Sequence, residues 1–155
     1  MLISQRTLNQ IAVVDLDQEK IVWTMRGSFK GQHDPQVLPN GNLLLFDNGV
    51  ATRESAVIEF DPVTSQTRWE YRGNDERPFY SHHCGTVQRL SNENTLVTES
   101  AGGRAFEVTP EGEIVWEFHN PHRAGEHDEY VATLFEVLRL PPDFPTDWIN
   151  ARPEK

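Results

Sequence analysis

The chain has 155 residues, a formal net charge of −10 and an apolar fraction of 37%. These values fit one globular domain with a sizeable core, and the acidic balance excludes the basic face of a general nucleic-acid binder. No apolar run approaches the roughly 18 residues that cross a bilayer, so no membrane partner is expected, and the only cysteine, Cys84, leaves no intrachain disulfide to form.

In chain order, "MLISQRTLNQ" carries no apolar h-region, so no signal peptide is expected there and the compartment stays open. "VVDLDQEKIVWTMRG" alternates apolar and polar residues on both sides of a polar turn, predicting two strands. "PQVLPNGNLLLFDNG" predicts a hairpin with Asn40-Gly41 at its tip, both in positive φ. "VIEFDPVTSQTRWEYRG" predicts another, turned by a proline-punctuated loop, with Val57 and Phe60 on opposite faces. "TVQRLSNENTLVTES" and "AFEVTPEGEIVWEFHN" repeat the two patterns. "FEVLRLPPDF" is a partial copy, with Leu140 in the place of Leu38 and Leu90. In the tail, Phe144 and Trp148 are expected to pin the chain against a sheet, and the last few residues to be disordered.

These segments form one repeat of just under fifty residues. Three copies carry an acid in the first run (Asp15, Glu59, Glu107) and a tryptophan in the second (Trp23, Trp69, Trp116). Four antiparallel strands at this period are the signature of a β-propeller blade, with the tryptophans packing blade on blade. The expected fold is all-β: a β-propeller fragment of about three four-stranded antiparallel blades. It is one partial domain over 1–155: a half blade at 1–27, blades at 28–73 and 74–122, and a half blade with tail at 123–155. Propellers usually need at least about four blades to close. The chain is therefore expected either to be part of a longer propeller or to associate into a homo-oligomer, such as a dimer of halves that hides the open edge and apolar face.

In a propeller the innermost strand lines the channel, and functional side chains gather at the loops entering it. His33 opens that strand in one repeat and Arg53 follows the second strand; His82 and His83, with Arg104, hold the matching places in the next. One rim thus receives a histidine and an arginine twice. Adjacent residues on a strand face opposite ways, so one of His82 and His83 is expected to face the channel. Asp34 either orients His33 or opens the strand as a turn residue. Cys84 as a thiol nucleophile lacks an orienting third group, and a buried structural cysteine is the plainer expectation. His119, His122 and His127 have the atoms for a metal but no recognised spacing, which favours a solvated loop; no metal site and no cofactor are expected.

"QHDPQVLPNGNLLLFDNG" and "SHHCGTVQRLSNENTLVTESAGGRAFEVTPEGEIVWEF" resemble the bacterial arylsulfotransferase family, the PQQ-independent enzymes on a six-bladed propeller. The resemblance covers most of residues 28–140. It implies transfer of a sulfuryl group from a phenolic sulfate ester to a phenol through a sulfohistidine, and a periplasmic location for a full-length parent. It implies His83, or its neighbour His82, as nucleophile, and His33 with Arg53 as the sulfate-binding pair. The family's further histidine, in an earlier blade, has no match in this chain. Arg104 and Asp34 complete the candidate substrate-binding set. Arginine's planar fork suits sulfate oxygens, and a neutral imidazole is a competent nucleophile near neutral pH. A protonated His33 would stabilise the sulfuryl oxygens or the leaving phenolate. Gly102 and Gly103 either admit a ligand close to the backbone or form a turn. The other class is a non-catalytic propeller module for binding or assembly, which keeps the rim pattern without the chemistry.

Overall fold

Turn chemistry cuts the chain into short antiparallel runs, and a computed structural model, which describes residues 1–149, arranges them in three stacked sheets. The first holds β1 (Leu2–Gln5), β2 (Gln10–Asp15) and β3 (Lys20–Arg26). The second holds β4 (His33–Val37), β5 (Leu43–Asp47), β6 (Ala56–Phe60) and β7 (Thr67–Arg72). The third holds β8 (Thr86–Arg89), β9 (Thr95–Glu99), β10 (Arg104–Val108) and β11 (Ile114–His119). Neighbouring strands are consecutive and antiparallel throughout. A small ribbon, β12 (Arg123–Ala124) with β13 (Tyr130–Val131), follows. The architecture is all-β and propeller-type, as the repeat predicts.

Four local expectations change. The opening segment forms β1, so the first sheet has three strands where a half blade has two. The run 132–141 forms no strand, because no strand beside it among the described residues offers a ladder. At the hairpin tips only one residue takes positive φ: Gly41 at 85° and Glu93 at 69°. The preceding asparagines instead fold back, Asn40 and Asn92 each accepting from the backbone N–H two residues on. The tail is not pinned either: Trp148 is 64% exposed and donates only to the nearby Pro145 carbonyl. The expected disorder of the last few residues concerns 150–155, outside the described residues.

Both faces of the second sheet are apolar, and each is covered. Leu43, Leu45, Ile58 and Phe60 pack toward the first sheet around Ile11 and Phe29. Leu44, Phe46, Val57 and Tyr71 pack toward the third, against Phe79, Val87, Val97 and Phe106. Phe79 stands edge-on to both Phe46 and Phe106, with ring centres 5.3 Å apart in each pair.

Strand register corrects the alignment of the acids. Val13, Glu59 and Glu107 each sit opposite a tryptophan, Trp23, Trp69 and Trp116. Asp15 matches Asp61 instead, since each caps its turn by accepting two backbone N–H groups. Glu59 accepts from Asn40 and Asn42 of its own sheet and from Arg89 of the next at 2.8 Å. The Arg89 guanidinium lies 5.1 Å over the Trp69 ring, and Trp69 donates to the Pro110 carbonyl. Glu107 repeats this with Asn92, Asn94 and, at 2.8 Å, Arg139. Between the first two sheets the pair is replaced by Val13 and Val37, leaving an apolar cleft of about 500 Å³ beside Trp23.

Phe106→Ala should cost about 3–5 kcal/mol in urea unfolding, because the ring is fully buried between sheets. Val63→Ala, at a side chain 90% exposed, should leave the midpoint unchanged.

Candidate functional site

Each second strand ends at one repeat position, occupied by Arg6 after β1, Asn48 after β5 and Ser100 after β9. Around this position the incoming loops are fastened by buried carboxylates. Asp47 accepts the Lys30 N–H at 2.7 Å and Glu99 the Tyr80 N–H at 3.0 Å. Burial pushes both carboxyls above their ordinary values.

Asn48 is fully buried and holds the site together. Its amide donates to the carbonyls of Ser81 and Cys84, both at 2.7 Å, which fixes the loop carrying His82 and His83. Its Oδ1 lies 2.6 Å from His33 Nδ1. An amide oxygen only accepts, so Nδ1 carries the proton and, in the neutral ring, Nε2 is the acceptor. Ser81 ties the loop further, donating to the His83 carbonyl and accepting from the Ala101 N–H. The loop turns through Cys84, at φ 52°, and Gly85, at φ 112°. A Cβ at Gly85 would lie 2.7 Å from the Phe46 ring, so only glycine lets the loop cross the core edge.

The His82 and His83 rings lie 4.3 Å apart, tilted by 50°, with His83 Nδ1 2.9 Å from His82 Nε2. Arg6 donates to the His82 carbonyl at 3.1 Å. Burial first, then the charges of His82, His33 and Arg6, holds the His83 imidazole below its ordinary pKa. The structure thus brings His33, His82 and His83 together and adds Arg6. Tyr80 continues the row, 6.5 Å from His82, and the Arg53 guanidinium lies 5.8 Å over its ring. Arg53 lines a cleft of about 530 Å³ with Tyr80 and Arg72, and none of the three histidines is among its lining residues.

Two expected substrate-binding residues have their side chains engaged within the fold. Arg104 is committed to the carboxylates of Glu99 and Glu117 and to the Pro78 carbonyl, so its charge is already neutralised. Asp34, at φ 48°, does not orient His33; its carboxylate accepts from the Val87 N–H and the Gln36 amide across two sheets. Cys84 contributes its carbonyl, and no hydrogen bond engages its thiol among the described residues. Gly103 serves packing: a Cβ there would meet Val131 at 2.6 Å. Among the described residues no group of three or more His, Cys, Asp or Glu side chains is placed to hold a metal ion. Arg6 and Asn48 were the residues hidden from sequence reasoning, and the signal for both is their shared place after the second strand.

The arrangement places one imidazole of depressed basicity beside a second imidazole, a third with a fixed tautomer, and a guanidinium. Such groups can in principle supply a neutral nitrogen nucleophile, a proton carrier and a cation for an anionic ligand.

The family model described as Arylsulfotransferase (ASST) matches residues 1–121. No curated protein matches the chain. Among solved structures, the chain is similar to a protein of unknown function from Bacteroides caccae, at 16% identity and a TM-score of 0.47, over 76% of this chain and 57% of that one. It is also similar to BamB from Moraxella catarrhalis, at 15% identity and a TM-score of 0.47, over 80% of this chain and 34% of that one. The chain therefore spans less than two thirds of either length.

Asn48→Ala should destabilise the chain by about 2–3 kcal/mol, because two buried carbonyls and His33 lose their partner. Nitrogen NMR should then show His33 losing its Nδ1–H preference. In a pH titration His83 should remain neutral to lower pH than an unperturbed histidine. With the folded value depressed, its contribution to stability is present above the unfolded pKa and is lost as pH falls through the folded one.

Proposed function

Because the chain belongs to the arylsulfotransferase (ASST) family, we propose that its histidine cluster passes a sulfuryl group from a phenolic sulfate ester to a phenol. The observation that carries this is the His83–His82 contact within reach of Arg6 and His33. His83 donates its Nδ1 proton to His82 Nε2 and presents the Nε2 lone pair to sulfur. As the N–S bond forms, the ester S–O bond breaks and a protonated His33 gives its Nε2 proton to the departing phenolate. In the second half, neutral His33 takes the proton of the acceptor phenol, the phenol oxygen bonds sulfur, and the N–S bond breaks. Arg6 and Arg53 serve the sulfuryl oxygens, the task for which a planar guanidinium fork is suited. A loose transition state, by analogy with phosphoryl transfer, asks mainly for positioning and charge stabilisation. The active assembly in this proposal is a homo-oligomer that completes the propeller.

A second function, a non-catalytic binding or assembly module, is favoured by one observation: Arg104, which a duplicated anion site would use, is neutralised within the sheet. Intact-protein mass spectrometry after excess aryl sulfate, without acceptor, separates the two. The enzyme gains one sulfuryl group per chain, and His83→Ala abolishes the gain. His33→Ala should slow transfer on the order of 100-fold, the usual scale for a lost general acid. A sulfate-dependent thermal shift, weakened by Arg6→Ala and with no covalent adduct, would instead identify the binding module.

A further inference from the structure

The first sheet lacks one strand, and elsewhere the same chain carries that strand without a sheet. Register equates β1 with β5 and β9, since each sits next to its sheet's third strand through matched pairs: Gln5 with Gln10, Asp47 with Ala56, Glu99 with Arg104. In the second and third sheets the innermost strand, β4 or β8, pairs on the other side of that element. The first sheet has no such strand among the described residues, so the outer edge of β1 is open.

Residues 136–140 are seated as β8 is seated. β8 reaches back to the second sheet through Arg89 on Glu59, and the run reaches back to the third sheet through Arg139 on Glu107, both at 2.8 Å. The Val137 N–H donates to Thr98 Oγ1, and Arg139 N–H to the Gln88 side chain, so the run is held in place by one side only. Leu90 and Leu140 occupy the same repeat position. No strand pairs with the run among the described residues. An inner strand held without its neighbour and a sheet edge without its inner strand are complementary.

The faces agree as well. Tyr71 is 7% exposed under the third sheet, whereas Phe118, its counterpart beside Trp116, is 39% exposed. On the first sheet, Ile3, Ala12 and Val14 stand where the second sheet has Leu45, Ile58 and Phe60, the residues that cover the preceding sheet.

We propose that two copies of this chain close a ring by strand exchange, residues 136–138 of each adding to β1 of the other. The β8–β9 register carries over directly: Glu136 opposite Ser4, Val137 opposite Ile3, Leu138 opposite Leu2. Each copy then supplies three blades, one of them composite, and the closed ring has six, within the range of about four to eight that propellers adopt. The exchange deepens the association named above, but it stands apart from the sulfuryl chemistry, because its test reads mass and cross-linking rather than transfer.

Native mass spectrometry of the unaltered chain at micromolar concentration should give twice the chain mass. In a Cys84→Ser background, chains carrying Ile3→Cys should be mixed with chains carrying Val137→Cys and oxidised. The expected result is a covalent pair joining one of each, while Thr133→Cys in place of Val137→Cys links at least 10-fold less. A monomeric mass would overturn the proposal and leave β1 to be completed by another polypeptide segment. Assemblies larger than two would overturn closure at two copies. A dimer that links equally through position 133, or through neither position, would overturn the strand register and with it the exchange.

Discussion

A sheet that is apolar on both faces has to be covered on both, and this requirement organises the molecule. The second sheet meets it fully, between Phe29 and Ile11 on one side and Phe79 and Phe106 on the other. Stacking then sets everything at the sheet ends. The loops that cross from one sheet to the next run over the core edge, and their backbones are fastened by the carboxylates of Asp47 and Glu99. His82 and His83 are carried on one of these loops and His33 opens β4 at the end of another, so their spacing is a product of sheet packing rather than of local sequence.

Much of the fold was legible because its period is long and its turns are explicit. The tryptophans, the asparagine turns and the alternation of Val57 and Phe60 each mark one element, and together they define the repeat. What stayed hidden had physical causes. β1 is only four residues long and partly polar, so alternation alone does not reveal it. Position within a run aligns Asp15 with Glu59 and Glu107, but the three hairpins share one bulge, after Val13, Glu59 and Glu107, and only that pairing shows that Asp15 belongs with Asp61.

The site was half legible for a related reason. His33, His82 and His83 stand out by residue type, and the repeat brings them to one rim. Arg104 and Asp34 also stood out by type, yet their side chains serve neighbours inside the fold. Asn48 resembles an ordinary turn residue, and its three hydrogen bonds become visible only when two sheets are side by side. A polar residue at a strand end is ambiguous in sequence because its partners come from residues far along the chain.

The two inter-sheet junctions differ in kind, and the difference has a thermal consequence. The second adds the Glu59–Arg89 pair over Trp69 to its apolar packing; the first has Val13 and Val37 in those places and is joined by apolar contact and by neutral hydrogen bonds from Gln32 to Ser4 and Gln10. Apolar cohesion weakens on cooling, whereas the desolvation penalty of an ion pair falls on heating. The second junction, with an ion pair added to its apolar packing, therefore gains hold relative to the first as temperature rises.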